Sequence, residues 1–124
     1  FGAAFMQLTT MNGYLRPQDV EKPLILEALR ANGLDGPRGM TLAIAGGMGP
    51  KVIGANMADL GESGRMYLAG TSVYSHPDGP SSGVKAIIAA YKAYKQEHIT
   101  DIPGLRAFAG RLGGDEGRAL ERSL

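Results

Sequence analysis

Two short apolar runs constrain this chain more than any other feature. One, TLAIA at residues 41–45, stops abruptly at Gly46-Gly47; the other, RMYLA at residues 65–69, stops at Gly70-Thr71-Ser72. A helix-like stretch separates them and a longer one follows. Strand-length runs that end on small residues and alternate with helices are how α/β proteins build an anion site at the carboxyl ends of parallel strands. The glycines admit a ligand close to the backbone, and the next helix presents free N–H groups.

The rest of the chain extends this alternation. Residues 3–9 (AAFMQLT) form a continuous apolar run without helical period, the pattern of a strand buried on both faces of a parallel sheet. Residues 10–18 contain Asn-Gly and a proline and read as a loop. Residues 20–31 carry a helical stripe, with Asp19 as the expected N-cap, Pro23 confined to the first turn and Gly33 as the stop. Residues 32–39 form a second loop. After Gly46-Gly47, Pro50 is expected at or near the first position of a helix whose face is Ile53, Met57 and Leu60, ended by Gly61. A third loop spans residues 70–80. Val84, Ile87, Ile88, Tyr91 and Tyr94 then mark the strongest helical stripe, with Lys85, Lys92 and Lys95 outside it. Residues 102–112 and 115–124 read as short, polar helices.

The order β-α-β-α-β-α plus a tail implies parallel strands with right-handed crossovers. Three strands are too few to close a barrel, which typically takes eight strands and about 250 residues. Either the sheet is small and open or strands are missing. The chain of 124 residues starts at Phe1, inside the apolar run FGAAFMQL. An N-terminal truncation is the expectation, with a trimmed leader or disordered start as the alternative.

Composition removes several function classes. Apolar residues make up 44% and charged ones 20%, ordinary for a folded domain. A net charge of +1 gives no footprint for nucleic acid or an acidic membrane surface. No run reaches the roughly 18 consecutive apolar residues that a membrane span takes. With no cysteine, neither a disulfide framework nor thiolate chemistry is available, which suits a cytoplasmic protein. Gly is about twice as frequent as usual, at 19 residues, mostly at the ends of apolar runs.

In a βα protein the loops after the strands share one face, so residues 7–16, 46–49 and 70–83 are expected to converge. Gly46-Gly47 offers close backbone approach, Gly70-Thr71-Ser72 adds a turn and two hydroxyls, and Ser81-Ser82-Gly83 adds N–H groups. Three donor sets on one face suit a phosphate monoester; the same residues also serve as plain strand-to-helix turns. His76, in Ser75-His76-Pro77-Asp78-Gly79, is read as a loop-structuring residue with Asp78, because Pro-Asp-Gly is tight-turn chemistry. As a general base it would need a partner and a reachable proton. Gln7 and Thr10 at a strand end, and Arg16 in the first loop, are weaker candidates for substrate contact. No carboxylate, histidine or cysteine set has metal-ligand spacing.

GGMGPKVIGANMADLG, LAGTSVYSHPDGPSSGVKAI and the opening GAAFMQLTTMNGY together resemble the last three βα units of the large subunit of ribulose-bisphosphate carboxylase (RuBisCO) and its relatives. The resemblance covers about residues 2–94. It implies the C-terminal part of a (β/α)8 TIM barrel over residues 1–98, followed by a helical tail at 99–124. It implies a substrate-phosphate grip at Gly46, Gly47, Gly70 and Thr71, with Ser72 a weaker member.

The departures from the family pattern are as informative. Gln7 stands where the carboxylases have a phosphate-contacting His, Ala45 replaces the Ser before Gly-Gly, and Leu15 lies nearest the Lys of the mobile loop, with Arg16 beside it. Leu cannot stabilise a developing carboxylate, and a shifted Arg has a different reach. The chain therefore resembles the non-carboxylating RuBisCO-like branch, whose members include enolases and isomerases of keto-sugar phosphates. That branch uses Mg²⁺, held by a carbamylated Lys, an Asp and a Glu after the second barrel strand, which no segment here matches. A phosphorylated small-molecule substrate and a homodimeric or larger parent are implied. A truncated, non-catalytic chain or assembly piece, and an unrelated small phosphate-binding domain, are the alternatives.

Overall fold

A computed structural model describes residues 5–33 and 41–124. The expectations for residues 3–4 and 34–39 lie outside the described residues. Three strands, β1 (Phe5–Thr9), β2 (Thr41–Ala45) and β3 (Arg65–Tyr67), form a parallel sheet in sequence order. The register pairs Gln7 with Ala43 and Ala43 with Met66. Helices α1 (Lys22–Ala31) and α2 (Ile53–Leu60) make the crossovers between these strands. After β3 come a single turn, α3 (Thr71–Tyr74), the long α4 (Pro80–Glu97), α5 (Ile102–Leu112) and α6 (Gly114–Ser123). Among the described residues, no helix is long and apolar enough to cross a membrane.

Side chains alternate across a strand, so one register row faces the helices and the next faces away. Leu42 and Ile44 are fully buried and join Met6, Leu8 and Tyr67 against Leu29, Ile53, Met57, Leu60 and the alanines of α4. On the opposite face Gln7 is exposed, Met66 is 45% and Leu68 41% exposed, and the small Ala43 is buried. The expectation that the first strand is buried on both faces therefore fails for β1. The described chain supplies helices to one side of its sheet only.

Local signals fix most helix ends. Gly33 (φ 66°) and Gly61 (φ 77°) follow α1 and α2 in the backbone region glycine favours, and Asp101 caps α5 by accepting from Gly104 N at 2.6 Å. Asp19 does not cap α1: the cap position is Glu21, whose side chain instead accepts from Gln18 N. Pro50 does not open α2 either. It lies in a preceding turn closed by Val52 N and Ile53 N on Gly49 O. β3 ends at Tyr67 rather than residue 69, and the third loop contains α3.

The largest correction concerns α4. Its expected stripe is not its buried face: Val84, Ile88 and Tyr91 are 48%, 42% and 42% exposed, while Ile87 and Tyr94 are half-buried. The buried face is Gly83, Ala86, Ala89, Ala90 and Ala93. A Cβ added at Gly83 would fall 2.3 Å from Val73 O in α3, so α3 and α4 meet backbone to backbone there with no room for a side chain between them. The terminal helices, expected to be polar, bury Leu105, Phe108, Ala109, Ala119 and Leu120; α6 packs on both α4 and α5. Helices this close need small residues at the contact and leave large ones at its margins.

Candidate functional site

The loops at the carboxyl ends of the strands do meet. An open pocket of about 680 Å³ is lined by Gly46 and Gly47 from the second loop, Gly70, Thr71 and Ser72 from the third, and Tyr14 and Leu15 from the first. All five phosphate candidates thus share one cavity, of a size that suits a small-molecule ligand. Gly46 and Gly47 take φ of 108° and 78°, so both use conformations open chiefly to glycine. Among the described residues, the N–H groups of residues 46–49 and 70–72 make no backbone hydrogen bond. These are the donors that an anion could take.

The two glycine turns are held together by Ser72, whose hydroxyl donates to Met48 O at 2.8 Å. That hydroxyl's proton is committed, so Ser72 aligns the turns and leaves Thr71, which is exposed, as the hydroxyl donor among the five phosphate candidates. The first loop lies directly on the second. Thr10 is fully buried and its hydroxyl donates to Gly46 O at 2.6 Å. Thr9 Oγ1 donates to Leu15 O at 2.7 Å. A Cβ at Gly47 would sit 2.6 Å from Tyr14 N, and one at Gly46 would sit 3.2 Å from Leu15 Cβ.

Other sequence candidates fall elsewhere. Gln7 points from the uncovered sheet face, and Arg16 is exposed outside the pocket. Ser82 borders a separate charged groove with Lys85, Asp115 and Arg118, and Gly83 is buried against Val73, so the third donor set does not join the other two. His76 is buried at 6% exposure: Nδ1 accepts from Asp78 N at 3.1 Å and Nε2 donates to Ala119 O at 2.9 Å. Asp78 pairs with Arg122 through both carboxylate oxygens at 3.2 Å. Both residues therefore bind the third loop to α6, and neither ring nitrogen of His76 is free for proton transfer.

Positive charge lies beside the pocket rather than in it. An adjoining cavity of about 500 Å³ shares Tyr14, Gly47, Ser72 and Ser75 with it and adds Lys51 and Arg122. Farther away, burial pushes the pKa of Tyr67 up, and its hydroxyl donates to Gly61 O. Among the described residues, no three His, Asp or Glu side chains gather where a metal ion could be held. A Mg²⁺ ion is not served by these side chains, and no step through one follows from them.

Sequence reasoning missed Asn56. It is fully buried, accepts from Met11 N (2.8 Å) and Asn12 N (2.9 Å) through Oδ1, and donates through Nδ2 to Asn12 O (2.6 Å) and Val52 O (2.9 Å). The available signal was a lone amide on the apolar face of α2, between Ile53, Met57 and Leu60. A buried polar group at that spacing has to be satisfied by something.

No family model and no curated protein matches the chain. Among solved structures, it is similar to a rubisco-like protein from Burkholderia fungorum, with TM-score 0.71 and 19% identity over 96% of this chain and 27% of that one. It is also similar to octameric ribulose-1,5-bisphosphate carboxylase/oxygenase (Rubisco) from Pyrococcus horikoshii OT3, with TM-score 0.69 and 22% identity over 97% of this chain and 26% of that one. At such identities the likeness establishes the fold. The chain spans about a quarter of the length of these solved chains.

Proposed function

We propose, for a chain whose fold is that of a RuBisCO-type segment, that it forms the last three βα units of a RuBisCO-like barrel and grips one phosphate of the parent's substrate. The observation that carries this reading is the shared pocket of Gly46, Gly47, Gly70, Thr71 and Ser72, lined from two loops whose N–H groups, among the described residues, make no backbone hydrogen bond. The uncovered sheet face, with Met66 and Leu68 exposed, supports the partial-barrel reading, because parallel sheets are ordinarily covered on both sides.

The parent activity we infer is Mg²⁺-dependent enolisation or isomerisation of a phosphorylated keto-sugar in a cytoplasmic homo-oligomer, with metal and base supplied by residues outside this chain. Carboxylation is disfavoured by Gln7, Leu15 and Ala45. The part this chain plays is binding: backbone N–H groups and Thr71 would hold the phosphate, and Tyr14 and Leu15 would restrict water. A second reading is that the glycines only admit the first loop, and the 2.6 Å approach of Tyr14 N to the Cβ position of Gly47 favours it.

Thr71→Val and Gly70→Val separate the two, since both residues are exposed and a Cβ at Gly70 meets nothing within 4 Å. In the full-length protein, affinity for inorganic phosphate or a phosphorylated keto-sugar, measured by calorimetry, is expected to fall about tenfold in each variant with melting unchanged. Unaltered affinity in both variants would overturn the phosphate grip.

A further inference from the structure

We propose that Asn56 is the positioning residue of this pocket: it fastens the loop after β1 to α2 and thereby holds Tyr14 over Gly47. The ligand side of this proposal rests on the phosphate reading; the clamp itself does not.

Four hydrogen bonds from one buried amide are the full donor and acceptor capacity that such a site ordinarily satisfies, and three of them go to the backbone of Met11 and Asn12. The fourth, to Val52 O, anchors the same amide in the turn that starts α2. Asn12 extends the clamp outward: its Nδ2 donates to Asp59 at 2.7 Å, its Oδ1 accepts from Lys22 at 3.0 Å, and Lys22 pairs with Asp59 at 2.8 Å. One residue of the loop is thus tied to both α1 and α2. From that anchor the chain reaches Tyr14 in two residues, at Gly13. A Cβ at Gly13 would fall 2.9 Å from Thr10 Oγ1 and 3.1 Å from Gly47 O, so the loop has a single close path over the glycine turn. Tyr14 itself is 90% exposed and borders both cavities, so nothing in its own side-chain packing holds it there. Its backbone is set from two sides, by the clamp at Asn12 and by the Thr9 hydroxyl that donates to Leu15 O.

Backbone hydrogen exchange of the full-length protein reads this directly, with α4 (Ala86 to Ala93) as internal reference. Asn56→Leu removes all four bonds. Asp59→Ala, at a partly exposed side chain, removes only the outer anchor and keeps the test alive if Asn56→Leu does not fold. Exchange at Met11 and Asn12 is expected to rise roughly tenfold or more in Asn56→Leu and by less in Asp59→Ala, with α4 unchanged. Inorganic phosphate affinity, followed at the Gly46 and Gly47 amides, is expected to fall in step. Unchanged loop exchange, or a rise shared equally by α4, overturns the clamp. A loop that opens while phosphate affinity stays constant overturns its role toward the ligand. Failure of the unaltered protein to bind phosphate overturns the phosphate reading and the ligand role, and leaves loop exchange to decide the clamp.

Discussion

The two glycine turns look alike in sequence and differ in what they demand. Gly46-Gly47 lies under another loop: both residues have positive φ, and the Cβ position of Gly47 is blocked by the backbone of Tyr14. Gly70 has φ −108° and open space where a Cβ would go. The first turn needs glycine for internal packing whatever else it does. The second has no internal need for it, so room left at Gly70 belongs to the pocket. A run of glycines at strand ends is thus two different statements, one about a loop crossing and one about an opening.

Substitution can break or sharpen this contrast. Gly47→Ala carries the largest expected effect. It puts a side chain into a left-handed conformation and against a backbone nitrogen, costing about 2 kcal/mol or more, and it displaces Tyr14. Denaturant unfolding of the full-length protein, with exchange at residues 11–16, measures both; a stability loss under half that size would mean the loop yields freely and the contrast is shallow. Ser72→Ala comes next, because it cuts the hydrogen bond joining the two turns and leaves Met48 O without that donor. About 1 kcal/mol is expected in the same unfolding experiment. A neutral result would mean the turns are aligned by packing alone. Gly70→Ala is the smallest, within about 0.5 kcal/mol and of either sign, since the change also restricts the unfolded chain. A thermal melt that drops as far as that of Gly47→Ala would erase the distinction.

Much of the architecture was legible because it depends on neighbours in sequence. The apolar run of β2 has the expected limits, α5 begins after an Asp followed by Ile-Pro, and glycines close α1 and α2. The convergence of the strand-end loops followed from βα topology. Three features resisted. Asp19 and Pro50 are sound start signals by type, yet Glu21 and Val52 occupy the cap positions, since propensities shift an end by a turn at little cost. The exposed stripe of α4 misled because hydrophobicity was read as burial, whereas helices packed closely select alanine and glycine. His76 and Asp78 serve α6, more than forty residues on in the chain, a partner no local pattern names.

By itself, then, the amino-acid order determined the alternating elements, their glycine stops and the face on which the loops gather. Each of these is set by backbone conformational limits acting over a few residues. Only the tertiary structure decided which glycine is crowded and which is open, which side of α4 is buried, and that a lone amide on α2 carries the first loop. Those outcomes depend on distances between segments far apart in the chain. A residue type states what it can bond or how much room it takes, and the fold alone determines what stands opposite.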